Sequence, residues 1–208
     1  MKQKGLLIFA LLLLIVSCVA GRTAKTTEYY LLDYPPPVSD ETTRLDDILK
    51  VEKFSIVQLF NSNTMARRKE SIALDVFPSV RWKANPAALV TDSLVRDFRY
   101  SGSFRAVFSY GDTEMTRFNL EGSVAEFTEI EDKEGRKASL ILNISLLDRE
   151  RQEGPSRIIF QKNYSHAAIC TEKGPRGLAR GLSESMERLS RQIISDVYRA
   201  VAAAEKSR

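Results

Sequence analysis

The chain has 208 residues, 43% of them hydrophobic, which is enough for one domain with a substantial core. Its formal net charge is only +4, from 31 basic and 27 acidic residues, and this balance does not favour nucleic acid as a partner. Two cysteines and one histidine offer neither a disulfide framework nor a zinc-type cluster.

The N-terminal segment has the pattern of a cleavable export signal. Lys2 and Lys4 precede an unbroken apolar run from Leu6 to Val16. This run has the length of a signal-peptide core and is shorter than the roughly 20 residues that a membrane-spanning helix needs. It ends in Ile15-Val16-Ser17-Cys18, which resembles the lipobox of bacterial lipoproteins.

The lipobox resemblance implies that the peptide is cut before Cys18 and that this cysteine carries the lipid. The alternative is an ordinary signal with its cut at Ala20-Gly21. Two or three acyl chains would hold the protein on a membrane, and Val19 in place of aspartate favours the outer membrane. Acylation would leave Cys170 without an intramolecular disulfide partner. Removing 17 of the 208 residues, with both signal lysines, leaves 191 residues with 29 basic and 27 acidic side chains.

These boundaries divide the chain into a signal peptide at residues 1–17, a lipidated tether at 18–28 and one domain at 29–204. The first half of the domain is predicted to hold three strands joined by polar loops. The predicted strands are Tyr29–Tyr34, stopped by three prolines, then Val51–Phe60, apolar on both faces, and Ser71–Trp82, interrupted at Pro78. The predicted loops are Val38–Asp47 and Asn61–Glu70.

An amphipathic helix is predicted after the third strand. Asn85-Pro86 provides its start, Leu94 and Phe98 continue the helical spacing, and Ser101-Gly102 ends it. A short strand follows at Ala106–Ser109. The order of strand, helix and strand predicts a right-handed parallel crossover.

The middle of the chain is predicted to be an antiparallel meander. Alternation from Phe118 to Val124 changes phase at Phe127, which indicates a β-bulge. An acidic turn from Glu129 to Gly135 leads to the most regular alternation in the chain, between Ala138 and Leu146. A further strand is predicted from Ile158 to Tyr164.

The last element is predicted to be a long amphipathic helix. Pro175 lies near its start, and apolar residues recur every three or four positions from Leu178 to Val201. Packing on the sheet is the favoured interpretation of this seam, and a coiled-coil partner surface is the alternative. The predicted fold class is therefore α/β, a single-domain mixed sheet with a βαβ crossover and a long C-terminal helix.

No segment of the sequence has the pattern of an active site. His166 is the single histidine, and the sequence has neither a nucleophile elbow nor a Cys-His signature. A Ser-His-Asp triad is still an open alternative, because its residues can be distant in sequence and meet only in the folded protein. Gly174-Pro175-Arg176-Gly177 lacks the spacing of a phosphate-binding loop. Arg67-Arg68-Lys69 is interpreted as a solvated loop, with contact to lipid head groups or acidic partners as the alternative. We expect no enzymatic activity, no cofactor and no metal.

The order of several short segments carries a resemblance to a known family. They are Tyr29-Tyr30-Leu31-Leu32, Arg81-Trp82, Asn85-Pro86, Ser101-Gly102-Ser103-Phe104-Arg105-Ala106-Val107, Leu120-Glu121-Gly122-Ser123-Val124, Phe160-Gln161-Lys162-Asn163-Tyr164 and the terminal helix. Together they resemble the ABC-type transport auxiliary lipoproteins, which serve lipid-transport systems built around mammalian-cell-entry (MCE) domain proteins. The resemblance implies a sandwich similar to the N-terminal domain of TolB-like proteins.

Two classes of function follow from the tether and the resemblance. The first is a non-catalytic, outer-membrane-anchored accessory protein that faces the periplasm and binds an MCE-domain partner, with homo-oligomerisation left open. The second is a carrier that holds an acyl chain in its own cavity. Assembly of another envelope or secretion complex is a third hypothesis. Beyond the lipidation site Cys18, the resemblance transfers no functional residue.

Overall fold

A computed structural model describes residues 26–38, 43–69, 72–151 and 154–206. In this part of the chain, nine strands form one mixed sheet and two helices pack on it. The strands are β1 (Glu28–Tyr30), β2 (Leu45–Val51), β3 (Ser55–Ile56), β4 (Thr64–Lys69), β5 (Ala73–Trp82), β6 (Phe104–Ser109), β7 (Phe118–Asp132), β8 (Gly135–Asp148) and β9 (Ile158–Ile169). The helices are α1 (Pro86–Ser101) and α2 (Pro175–Lys206), and 3-10 turns lie at Gln58–Phe60 and Pro155–Arg157. The predicted α/β fold class is confirmed.

Strand β7 organises the sheet because it pairs along its whole length. On one side it runs antiparallel to β8, which pairs antiparallel with β9. On the other side, β2, β3 and β4 pair with it in parallel at successive positions. Beyond them lie β6 next to β2, β5 next to β4, and β1 next to β5. The predicted meander is confirmed, and so is the bulge, where Ala125 is skipped between the pairs Val124–Leu142 and Glu126–Ile141.

The crossover leads to a partner strand that differs from the expected one. Helix α1 connects β5 to β6, as predicted, but the parallel partner of β6 is β2, with Leu49 opposite Val107. The sequence order of strand, helix and strand identifies a crossover unit. It does not identify which earlier strand pairs with the strand after the helix, since that depends on long-range contacts.

Several predicted boundaries are wrong in the first half of the domain. The first strand ends at Tyr30. The second, Leu45–Val51, begins inside the predicted loop, since Asp46 and Asp47 conceal its pattern, and of the predicted strand Val51–Phe60 only Val51 and Ser55–Ile56 are in strands. The predicted connector Asn61–Glu70 contains strand β4. The acidic segment predicted to turn at Glu129 stays in β7 through Asp132.

The ends of helix α1 follow the local sequence rules. The side chain of Asn85 accepts a hydrogen bond from the backbone N–H of Ala87, and Pro86 occupies the first turn. Gly102 ends the helix with φ of 66°, a conformation that glycine adopts without strain.

Both helices cover the same face of the sheet, and the hydrophobic core lies between the helices and that face. Alternate residues of β8 from Ala138 to Leu146 are buried on this side, and the seam of α2 packs over β8 and β9. Gly181 permits the close approach, because a Cβ there would lie 2.6 Å from the Cβ of Ala138. The predicted docking of the C-terminal helix on the sheet is confirmed. The opposite face of β7, β8 and β9 carries polar residues such as Asn143 and Asn163, whose amides are hydrogen-bonded at 2.8 Å.

The segment after β1 ties both helices together. The hydroxyl of Tyr34 donates to the buried carboxylate of Asp97 on α1 at 2.7 Å, and the N–H of Asp33 donates to the hydroxyl of Ser183 on α2 at 3.0 Å. Arg96 adds an ion pair to Asp97 and lies 4.3 Å from the centre of the Tyr34 ring. Tyr29 and Tyr30 therefore pair in the sheet, whereas the segment from Leu31 to Tyr34 packs on the helices.

Candidate functional site

A surface groove separates the C-terminal half of α1 from the end of β6. Its lining includes Asp92, the buried Val95, and the side chains of Arg96, Arg99, Tyr100 and Tyr110, and its volume is about 520 Å³. We call it the Tyr100 groove. Both tyrosines are exposed, at 73% for Tyr100 and 45% for Tyr110, so the groove offers aromatic surface that the core does not use.

The two arginines of the Tyr100 groove differ in how they are held. Arg96 donates from Nε to Asp97 at 2.8 Å and is committed to this buried carboxylate. Arg99 donates from Nε to the backbone carbonyl of Val107 at 3.0 Å, while its Nη2 lies 3.9 Å from Asp112, too far for a hydrogen bond. The guanidinium of Arg99 is therefore oriented by the backbone, and its Nη2 can still donate to a ligand in the groove.

Two carboxylates lie at the groove: Asp92 lines it and is exposed, whereas Asp112 beside it is hydrogen-bonded locally. Hydrogen bonds from the backbone N–H and hydroxyl of Ser109 lower the pKa of Asp112. Burial and the contact with Asp97 raise the pKa of Tyr34 behind the groove.

Lys53 lies 6.0 Å from the ring centre of Tyr110. Exposed rings beside Arg99 and Lys53 make a surface suited to a peptide segment that carries a carboxylate.

A second group of titratable residues lies inside the sheet, near the start of α2. Glu129 is only 1% exposed, and burial raises its pKa. Burial, with Glu129 adjoining, raises the pKa of Cys170 to about 11. A thiol that is buried and protonated is a poor nucleophile, so this pair is structural and not reactive.

The candidate site residues predicted from the sequence do not come together in the structure. Cys18 lies outside the described residues. His166 is in β9, where its Nδ1 lies 3.0 Å from the hydroxyl of Ser185, and burial and Arg188 lower its pKa. This serine and histidine have the contact of a catalytic dyad, but Ser185 is 0% exposed, so no substrate reaches it.

The other two segments are explained by structure. Gly174 has φ of 86° in the turn that starts α2, and a Cβ on Gly177 would collide with the backbone of Glu172. Arg67 and Arg68 belong to β4 and not to a loop. They pair with Asp75 at 2.7 Å and Glu126 at 3.0 Å, respectively.

Sequence reasoning did not identify Arg99, Tyr100 or Tyr110. Their signal is weak: two tyrosines and an arginine at the ends of an amphipathic helix and of a short strand. Within the described ranges, no three His, Cys, Asp or Glu residues are grouped so that they could hold a metal ion. None of the helices described is long and apolar enough to cross a membrane.

The fold and this surface define a single-domain α/β protein with an open groove lined by exposed aromatic and charged side chains. The family model of the ABC-type transport auxiliary lipoprotein component matches residues 29–194. The chain therefore belongs to this family, and the resemblance found in the sequence is confirmed.

Solved structures with the same fold are distant in sequence. Protein XCC0632 from Xanthomonas campestris is 16% identical with a TM-score of 0.78, and the match covers 86% of this chain and 99% of that one. The hypothetical protein CT253 from Chlamydia trachomatis is 10% identical with a TM-score of 0.57, over 76% of this chain and 99% of that one. At these identities the likeness shows the fold alone. A comparison with curated protein sequences found no match.

Proposed function

We propose that this protein is a non-catalytic accessory component of an MCE-type lipid-transport system, held at the outer membrane by lipid on Cys18 and facing the periplasm. The observation that carries the proposal is the family match over residues 29–194. The lipobox at Ile15–Cys18 supports the membrane position. In this role the domain binds the MCE-domain protein of the transporter.

The packing of the interior favours an adaptor over a lipid carrier. A carrier needs an enclosed apolar cavity that side chains do not fill. The largest side chains of the core, among them Trp82, Tyr164 and Phe127, are essentially inaccessible, and the rings of Trp82 and Phe127 meet edge to face at 5.1 Å. The Tyr100 groove and the surface groove between Glu52 and Arg149 are both open and bordered by charged residues.

We place the partner contact at the Tyr100 groove. Its rings can bury apolar groups, while the oriented guanidinium of Arg99 can donate a charge-assisted hydrogen bond to a carboxylate. Interfaces are enriched in tyrosine and arginine for these reasons. The partner segment that fits is an extended or helical stretch with an acidic residue beside an apolar one.

The test is recovery of the partner from the native host. The tagged, acylated protein is purified from solubilised membranes, and the co-purifying proteins are identified by mass spectrometry. We expect an MCE-domain protein with its ATPase and permease. Recovery of an unrelated secretion complex contradicts the proposal, and tight stoichiometric phospholipid on the domain favours the carrier hypothesis.

A charge-reversal pair locates the contact. We expect Arg99→Glu to lower recovery of the partner at least about tenfold, which corresponds to a loss of about 1.4 kcal/mol or more in binding free energy. Arg105→Glu is the matched control, because the two side chains are 52% and 51% exposed and lie 3.9 and 3.6 Å from the carboxylates of Asp112 and Asp46. Equal recovery with both variants places the contact elsewhere. Thermal unfolding of both variants verifies that folding is retained.

A further inference from the structure

One end of the sheet presents aliphatic side chains on the face that the helices leave open. The strand registers place Leu74, Arg68, Ile130, Lys137 and Ile169 side by side across five strands. Ile72 precedes β5 at the same end and is 92% exposed, and Ile169 is 72% exposed. We call Ile72, Leu74, Ile130 and Ile169 the end patch. Aliphatic residues that alternate with long basic side chains are typical of surfaces at a lipid interface.

The basic residues of this row are neutralised within the protein. Arg68 pairs with Glu126 at 3.0 Å, and Lys137 pairs with Glu134 at 2.5 Å. The row therefore offers apolar area and flexible aliphatic stems with little net charge. A ligand that matches it is apolar and does not need to be anionic.

Strand β1 enters the sheet from the side of this end. Strand β1 is parallel to β5, with Glu28 opposite Val80. The N-terminal end of β1 therefore faces the part of β5 that precedes Val80, which begins at Ala73. The ten residues from Cys18 to Glu28 span at most roughly 35 Å, so an anchor on Cys18 holds Glu28 within that distance of the bilayer.

We propose that the end patch rests on the bilayer that holds the lipid anchor, with Ile72, Leu74 and Ile169 in the interfacial layer. The proposal rests on acylation of Cys18, which belongs to the proposed function, and not on the identity of the transport partner. It gives the domain a fixed orientation. Ser109, which lines the Tyr100 groove, is opposite Val51 in the register, and Val51 is opposite Leu120 near the start of β7. The groove and the end patch thus lie at opposite ends of β7.

Fluorescent labels in the acylated, full-length protein test this contact. An environment-sensitive nitrobenzoxadiazole label is attached to Ile72→Cys, Ile169→Cys and, as the matched control, Met115→Cys. Met115 is 91% exposed and lies shortly before the start of β7, away from the patch. The native Cys170 is buried, so the introduced thiol is the one that reacts. The labelled proteins are reconstituted in phosphatidylcholine vesicles, with and without phosphatidylglycerol, containing spin-labelled lipid.

We expect blue-shifted emission and at least about twofold stronger quenching at Ile72 and Ile169 than at Met115, with little dependence on phosphatidylglycerol or salt. Equal quenching at the three positions overturns the proposal. A blue shift that depends on protein concentration in detergent, without lipid quenching, also overturns it and assigns the patch to a protein interface. Mass spectrometry of the sample separates failure of the lipid anchor from failure of the patch contact. An unacylated Cys18 refutes the anchor, whereas an acylated protein without quenching refutes only the contact of the end patch with the bilayer.

Discussion

The lack of a side chain at Gly122 allows the ring of Phe54 to pack directly on strand β7. The ring of Phe54, from the connection between β2 and β3, lies directly over it, and a Cβ at Gly122 would lie 2.5 Å from that ring and 2.7 Å from the carbonyl of Asn143. Phe54 is 2% exposed, so it cannot move aside into an empty space. The glycine therefore reflects close packing on β7.

We expect Gly122→Ala to lower the free energy of unfolding by about 1–3 kcal/mol, the usual cost of overpacking a filled core. Gly111→Ala is the control, since a Cβ there would meet only the Ser109 hydroxyl, at 3.9 Å. Urea unfolding of the purified protein measures both. Equal stability of the two variants would show that Phe54 moves without cost.

Glu129 is a buried carboxylate in the sheet, 1% exposed. Burial raises its pKa, Glu131 adds to this effect, and Arg136 and Arg67 oppose it. Within the described part of the chain, its Oε2 has no hydrogen-bond partner. The folded protein thus binds this proton more tightly than the unfolded chain does. The contribution of Glu129 to stability is complete below its ordinary pKa and is lost as pH rises through the raised value.

Glu129→Gln keeps the shape and remains neutral, so we expect it to stabilise the protein at pH 7 by about 1 kcal/mol, with a smaller effect at pH 4. Chemical unfolding at both pH values measures the difference. Glu114→Gln, at an exposed position, controls for the change in net charge. An identical effect of Glu129→Gln at pH 4 and pH 7 would contradict the raised pKa of Glu129.

At the scale of elements, helix α2 depends on the burial of its seam. Leu182, Met186, Leu189 and Ile193 are each at most 1% exposed. We expect Leu189→Asp to cost about 3 kcal/mol or more, because it places an unpaired charge between helix and sheet. As the control, Gln192→Asp adds the same charge to the exposed face of the same helix. A thermal midpoint unchanged by Leu189→Asp would mean that the helix is not docked.

The elements that could be predicted are those whose pattern is set locally. The seam of α2, the alternation of β8 and the capping residues of α1 each follow from the periodicity or the cap chemistry of one segment. Strands β2 and β4 were missed because their polar residues have partners far away in the chain. Arg67 and Arg68 fit a strand only once Asp75 and Glu126 neutralise them.

The Tyr100 groove was beyond prediction for a related reason. Its rim combines the end of α1 with the end of β6, and no pattern within either segment shows that Tyr100 and Tyr110 face the same space. Cys18 is different: its interpretation as a lipidation site depends on the neighbouring sequence alone and stays a prediction.

For the whole molecule, we assign a separate task to each end of β7. We place the end patch on the membrane side and the Tyr100 groove at the far end, directed into the periplasm. A domain with a filled interior and a fixed orientation suits a protein that positions a partner and does not carry lipid itself.

Photo-crosslinking in living cells tests the partner and the orientation together. A benzoylphenylalanine residue replaces Tyr100 in one strain and Ile169 in another, both expressed from the native locus, and the adducts are identified by mass spectrometry. We predict an adduct with an MCE-domain protein from position 100 and none with that protein from position 169. An MCE-domain adduct from position 169 alone, or adducts from position 100 only with components of an unrelated envelope complex, would contradict this assignment.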